Sequence, residues 1–183
     1  MKYSQGFTLV ELLVTVSIIS ILAAVATPSL LQTLAKQRMK SAAYELSATF
    51  AEARYQAALQ RVTMNVTTTG TAAAWKAASS SKKADIHWQL IPTGSATPLL
   101  QSGVDRRVAI NTDFGSASVL FLQSGLVATA ESPNSPIARD VFFRVCDSAV
   151  NGEEGYTVVL GRFGNSRVYA GKFGTGVGAA TCT

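Results

Sequence analysis

From Phe7 to Ala35 the chain is apolar almost without interruption, and Glu11 is the only charged side chain in that stretch. A short polar segment, Met1–Gly6, precedes it and carries Lys2. Beyond Pro28 the character changes. Met39, Ala42, Leu46, Phe50, Ala53 and Ala57 recur at three- and four-residue spacing, the period of a helix with one apolar face. Lys36, Arg38, Lys40, Glu45, Glu52, Arg54 and Arg61 are expected mostly on the remaining surface. The pattern predicts one helix from Phe7 to about Arg61, about 80 Å long if continuous. Pro28 removes a backbone donor and is expected to bend or locally melt it.

From Val62 the periodicity becomes that of strands. Thr63–Thr68, Ile86–Ile91, Arg107–Asn111, Ser118–Gln123, Val141–Cys146, Tyr156–Leu160 and Arg167–Ala170 are expected to be extended. Turn residues separate them at Pro92-Thr93-Gly94, Ser124-Gly125, Ser132-Pro133-Asn134-Ser135-Pro136, Asn151-Gly152 and Gly164-Asn165. Thr69–Lys83 is rich in Ala, Ser and Gly and reads as a loop, with Trp75 as an anchor. One long helix followed by many short strands implies an α+β fold, with the helix packed on antiparallel sheets in two layers. There is no internal repeat.

At 183 residues the chain has room for one globular domain and an anchor. The formal charge is +5; loss of Met1–Gly6 would remove Lys2 and leave +4. A basic balance favours anionic surfaces, nucleic acid among them. No enzyme constellation is present. His87, the only histidine, lies between Ile86 and Trp88 and reads as a strand residue, and Glu153-Glu154 follows a turn and reads as solvated. Gly174, Gly176 and Gly178 lack the strand–helix context of a phosphate loop. Asn65-Val66-Thr67 is a chance glycosylation triplet, Lys82-Lys83 a solvated pair, and Trp75 and Trp88 are core candidates. Neither a metal nor another cofactor is implied, since no CxxC occurs and His87 is remote from Cys146 and Cys182.

A carboxylate inside a segment long enough to span a bilayer costs roughly 2.5–3.5 kcal/mol on insertion scales, so such a group normally has a partner and a task. An ordinary secretory signal, cut after Ala24-Val25-Ala26, would not carry Glu11 or continue as an amphipathic helix. A plain single-span anchor would not need Glu11. Gly6-Phe7-Thr8-Leu9-Val10-Glu11 with the apolar run behind it resembles the class III signal of type IV pilins and type II secretion pseudopilins. The resemblance implies a leader, residues 1–6, cut after Gly6 by a prepilin peptidase that then methylates the amine of Phe7. It implies that Glu11 neutralises the terminal amine of a neighbouring subunit, since opposite charges attract strongly in low dielectric and each alone is expensive. Pro28 sits where pilins commonly carry a kinking proline. The implied layout is a membrane and fibre-core helix over 7–35 and a globular domain over 36–183. The chain would be held once through the inner membrane, with that domain in the periplasm, and would then leave in a pilus or pseudopilus with other minor and major pilins. Disulfides persist in the periplasm, so a Cys146–Cys182 bridge tying the C-terminal tail to a strand is expected, the alternative being two free buried thiols.

Three further segments are similar to the group containing the pseudopilin GspH and the minor pilins FimT and FimU. They are Ala53-Arg54-Tyr55-Gln56-Ala57 with the strand after it, Phe121-Leu122-Gln123-Ser124-Gly125, and the last hairpin, Val158–Val168. In minor pilins used for natural transformation a Gly-Arg-x-Arg motif in that hairpin contacts double-stranded DNA. Here the matching residues are Gly164-Asn165-Ser166-Arg167, with one arginine replaced. Arg162, Arg167 and Lys172 still form a basic segment suited to phosphate, though with fewer neutralised phosphates. The expected function is therefore a structural minor pilin that helps initiate assembly or cap the fibre. The alternatives are a DNA-binding minor pilin for uptake and a minor pseudopilin of type II secretion.

Overall fold

The computed structural model describes residues 7–69, 87–103, 108–112, 118–147 and 155–171. It divides the chain into two compact units, Met1–Leu34 and Ala35–Thr183. One helix, α1, runs from Leu9 to Gln60. It ends where Arg61 adopts a left-handed conformation, φ 53°, the usual way of terminating a helix just past its last turn. The periodic stripe is buried as expected: Met39, Ala42, Leu46, Phe50, Ala53 and Ala57 all lie in the core.

Among the described residues ten strands follow: β1 Met64–Thr69, β2 His87–Pro92, β3 Leu100–Gly103, β4 Val108–Thr112, β5 Ser118–Phe121, β6 Val127–Thr129, β7 Ser132–Pro136, β8 Val141–Asp147, β9 Tyr156–Leu160 and β10 Ser166–Ala170. They form two antiparallel sheets, ordered β3-β2-β1-β5-β6-β7 and β10-β9-β8-β4. Four strands depart from the expected pattern. Ser132–Pro136, read as a turn for its two prolines and asparagine, is extended. It is the outermost strand of the larger sheet, where proline's missing donor costs no ladder bond, and its pairing with β6 shifts register between Ala128 and Thr129. β3 and β6 have four and three residues, too short to show alternation. The strand expected to reach Gln123 stops at Phe121, because Leu122–Leu126 closes a tight turn with Gly125 N–H donating to Leu122 O at 2.8 Å.

The pleat sorts apolar residues inward. Leu90, Val66 and Val119 make one cross-strand row of the larger sheet, and Met64, Phe121 and Val127 the next. In the smaller sheet Val168, Val158 and Phe143 make a similar row. Phe50 of α1 joins the two sheets. Its ring centroid lies 5.9 Å from Phe121 and 5.1 Å from Phe143. Trp88 is fully buried and donates its indole N–H to Thr49 Oγ1 at 2.9 Å. Near the other end of this packed face, Arg38 holds the buried Asp147 carboxylate, Nη2–Oδ2 3.0 Å and Nε–Oδ2 3.1 Å. Every residue of this core cluster lies between Met39 and Val168, so the unit Ala35–Thr183 carries its own core and can fold without the apolar half of α1.

Candidate functional site

In the first unit the large apolar side chains of α1 face outward. Phe7 is 71% exposed, and Leu9, Val10, Leu12, Leu13, Ile18, Ile19, Ile21 and Leu22 are all exposed. Among the described residues no single helix is long and apolar enough to cross a membrane; Leu9–Ala24 and Ser29–Gln60 meet that test together, with a bend between them, and Pro28 lies in the break. The helix starts on a cap that the sequence reading passed over. Thr8 Oγ1 accepts the N–H of Glu11 at 3.3 Å, and the Thr8 carbonyl accepts the N–H of Leu12 at 3.2 Å. This is one arm of a capping box, and the Thr-x-x-Glu spacing announces it. Glu11 thus stands in the first turn, where the helix dipole favours an anion. Its carboxylate has no hydrogen-bond or ion-pair partner among the described residues. The hydroxyls behind it are occupied locally: Thr15 donates to Leu12 O, Ser17 to Leu13 O, Ser20 to Val16 O, Thr27 to Ala23 O and Thr33 to Ser29 O. Gly6 lies outside the described residues.

In the second unit the three segments singled out above meet at one corner. The β9–β10 hairpin closes through Gly164 N–H to Gly161 O and Gly161 N–H to Asn165 O, both 2.9 Å. Gly164 has φ +72°, and a β-carbon there would stand 3.1 Å from both Arg54 Cδ and the Gly125 carbonyl oxygen. Arg54 of α1, the Ser124-Gly125 turn and the hairpin turn therefore pack on one another. Val127 N–H donates to Arg162 O at 2.9 Å and binds the hairpin turn to the larger sheet. Asn165, which stands where the DNA-binding motif has arginine, has its side chain against Gly161: a β-carbon there would fall 2.5 Å from Asn165 Oδ1.

Arg162 and Arg167 are exposed and line one shallow groove with Asp140, Phe163, Asn165 and Tyr169. The Arg162 guanidinium lies 5.1 Å from the centroid of the Phe163 ring, which is 57% exposed. The result is a turn whose exposed Arg162 and Phe163 present a cation on an aromatic face. Lys172, the third basic residue expected here, lies outside the described residues. Cys146 is buried on β8, and among the described residues no cysteine is free; Cys182 lies outside them. Trp88 is core, as expected. Trp75, Lys82-Lys83, Glu153-Glu154 and the tail glycines lie outside the described residues.

The prokaryotic N-terminal methylation motif matches residues 1–27. No curated protein matches the sequence. Two crystal structures of the type IV minor pilin FimU of Pseudomonas aeruginosa are similar to the fold. One aligns with TM-score 0.51 at 17% identity, over 71% of this chain and 91% of that one; the other with TM-score 0.52 at 18% identity, over 74% and 90%. The chain thus begins with the prokaryotic N-terminal methylation motif, and its fold is similar to that of the minor pilin FimU.

Proposed function

We propose that the protein is a structural, non-enzymatic minor subunit of a type IV pilus that helps initiate assembly or cap the fibre. The observation that carries this reading is Glu11, a carboxylate without a partner in an outward-facing apolar helix. In this reading prepilin peptidase cuts after Gly6 and the amine of Phe7 is methylated. Residues 7–35 anchor the chain once in the inner membrane, kinked at Pro28, and later join the fibre core, while 36–183 fold in the periplasm. There a Cys146–Cys182 bridge holds the tail to β8, consistent with no free cysteine among the described residues. Glu11 pairs with the amine of an adjacent pilin, a contact that has value only once both charges leave water. The test is Glu11→Ala, scored by membrane insertion, leader removal and recovery in sheared fibres. Normal insertion with lost incorporation is expected; wild-type incorporation would refute the pairing.

A second reading, double-stranded DNA capture for uptake, has one observation in its favour. Arg162 and Arg167 are exposed on one groove beside Phe163 and Tyr169. Its test is DNA binding by Ala35–Thr183, titrated with salt, beside Arg167→Gln. Loss of one phosphate contact should weaken binding to all sequences and lower the salt slope by about one; no binding at low salt removes this reading.

A further inference from the structure

The outer end of the larger sheet and one flank of α1 do not close on each other. Between them lies a groove of about 510 Å³. Its apolar side is Leu90, Leu99 and Leu100, of which Leu99 is 50% and Leu100 39% exposed, on or beside the edge strand β3. Its other wall is acidic. Glu45 accepts the hydroxyl of Ser102, and Glu52 Oε1 accepts Gln56 Nε2 at 2.7 Å, whose Oε1 in turn accepts Gln60 Nε2 at 2.9 Å. Both carboxylates are thus held in position, yet neither has a cation partner among the described residues. Seven residues apart, they sit on one flank about 10 Å from each other along the axis. Two carboxylates without a cation partner among the described residues, over exposed leucines in a chain of net charge +5, are a surface complementary to a cation carried on an apolar group.

The same unit presents such a group. The hairpin turn carries Phe163 with Arg162 over its ring, and Arg167 lines the same surface. It packs against Arg54, nine residues along α1 from Glu45. Nine residues are two and a half turns, so Glu45 and Arg54 project from opposite flanks of the helix. Groove and turn therefore cannot meet within one copy.

We propose that the groove receives the Arg162–Phe163 turn of a second copy of this chain. Phe163 covers Leu99 and Leu100, while Arg162 and Arg167 face Glu45 and Glu52. Because the two surfaces differ and lie on opposite flanks, the contact is heterologous and passes from copy to copy in a row instead of closing as a two-fold dimer. This inference does not depend on the pilus reading; it also gives Arg162 and Arg167 a partner other than DNA.

The experiment is sedimentation velocity of Ala35–Thr183 with two charge-reversed variants, Glu45→Lys/Glu52→Lys and Arg162→Glu/Arg167→Glu. Wild type is expected to sediment faster as concentration rises, and to lose this in high salt. Each double variant should associate about tenfold or more weakly, a change of about 1.4 kcal/mol or more. Their equimolar mixture should regain association, because both the reversed and the original charge pairs then match. Melting curves like wild type's establish that each variant is folded, and Phe163→Ser provides an uncharged check with the same expected loss. A wild type that stays monomeric, variants that associate as wild type does, or a mixture that stays monomeric would each overturn the proposal. DNA binding is read separately: Glu45→Lys/Glu52→Lys leaves the arginines in place and should not reduce it.

Discussion

The ring of Phe50 in α1 meets an aromatic partner from each sheet, Phe121 at 5.9 Å and Phe143 at 5.1 Å. Replacing it by alanine removes a fully buried ring from the junction of three elements. A buried Phe→Ala change costs about 3–5 kcal/mol, with the upper half of that range where the surroundings cannot collapse into the space. Collapse is hindered here, since the partners are fixed in two different sheets. Against a total stability of about 5–15 kcal/mol this is a large fraction. At about 2–4 °C per kcal/mol for a unit of this size, melting should fall by about 6–20 °C. Phe50→Leu keeps most of the volume and should cost about 1 kcal/mol. Thermal and urea unfolding of Ala35–Thr183, followed by circular dichroism, measures both. A double-mutant cycle with Phe143→Ala should show coupling of about 0.5–3 kcal/mol. A loss below about 1 kcal/mol for Phe50→Ala, or equal losses for Ala and Leu, would refute the view that this ring joins helix and sheets.

Thr49→Val keeps the shape but leaves the buried Trp88 indole N–H without its acceptor, so urea titration should show a loss of about 1–3 kcal/mol; no loss would mean the indole finds another acceptor. Gly164→Ala puts a β-carbon at positive φ against Arg54 and the Gly125 carbonyl, and the left-handed conformation alone costs about 1–2 kcal/mol. An unchanged melting point would show that the hairpin turn moves freely from α1. Reduction of the proposed Cys146–Cys182 bridge should lower stability by roughly 3–4 kcal/mol, the loop-closure value for this separation, and a melting point insensitive to reductant would leave the two thiols unpaired.

The long helix and its buried stripe were legible because both arise from local periodicity, which Met39 through Ala57 keep without a break. Strands such as Val141–Asp147 and Tyr156–Leu160 were legible for a similar reason: runs of valine, phenylalanine and leucine suit a doubly covered strand. β7 was not, because its Ser-Pro-Asn-Ser-Pro sequence carries turn residues and only its edge position permits it to be extended. At the corner, the glycines of both turns could be read as turn residues, but not that Arg54 of the helix lies against them. That packing joins Arg54 to residues 71 and 110 positions further along the chain. Nor did the sequence indicate that the Asn165 side chain lies against Gly161 of its own turn. The Thr8 cap was visible in principle and was overshadowed by the charge of Glu11.

The occupied hydroxyls of the apolar helix have a bearing on what drives this segment from one surrounding to another. Thr15, Ser17, Ser20, Thr27 and Thr33 each donate to a carbonyl one turn back, so none demands a solvent or a neighbour. Lipid chains and packed apolar side chains are nearly equivalent hosts for the rest of the surface. If the chain acts as proposed, migration of such a rod from bilayer to polymer would be close to neutral along most of its length. The free-energy difference between the two destinations would then be concentrated at its amino end, in Glu11, and a change at that one atom group should govern commitment to the polymer more than any change of hydrophobicity further along.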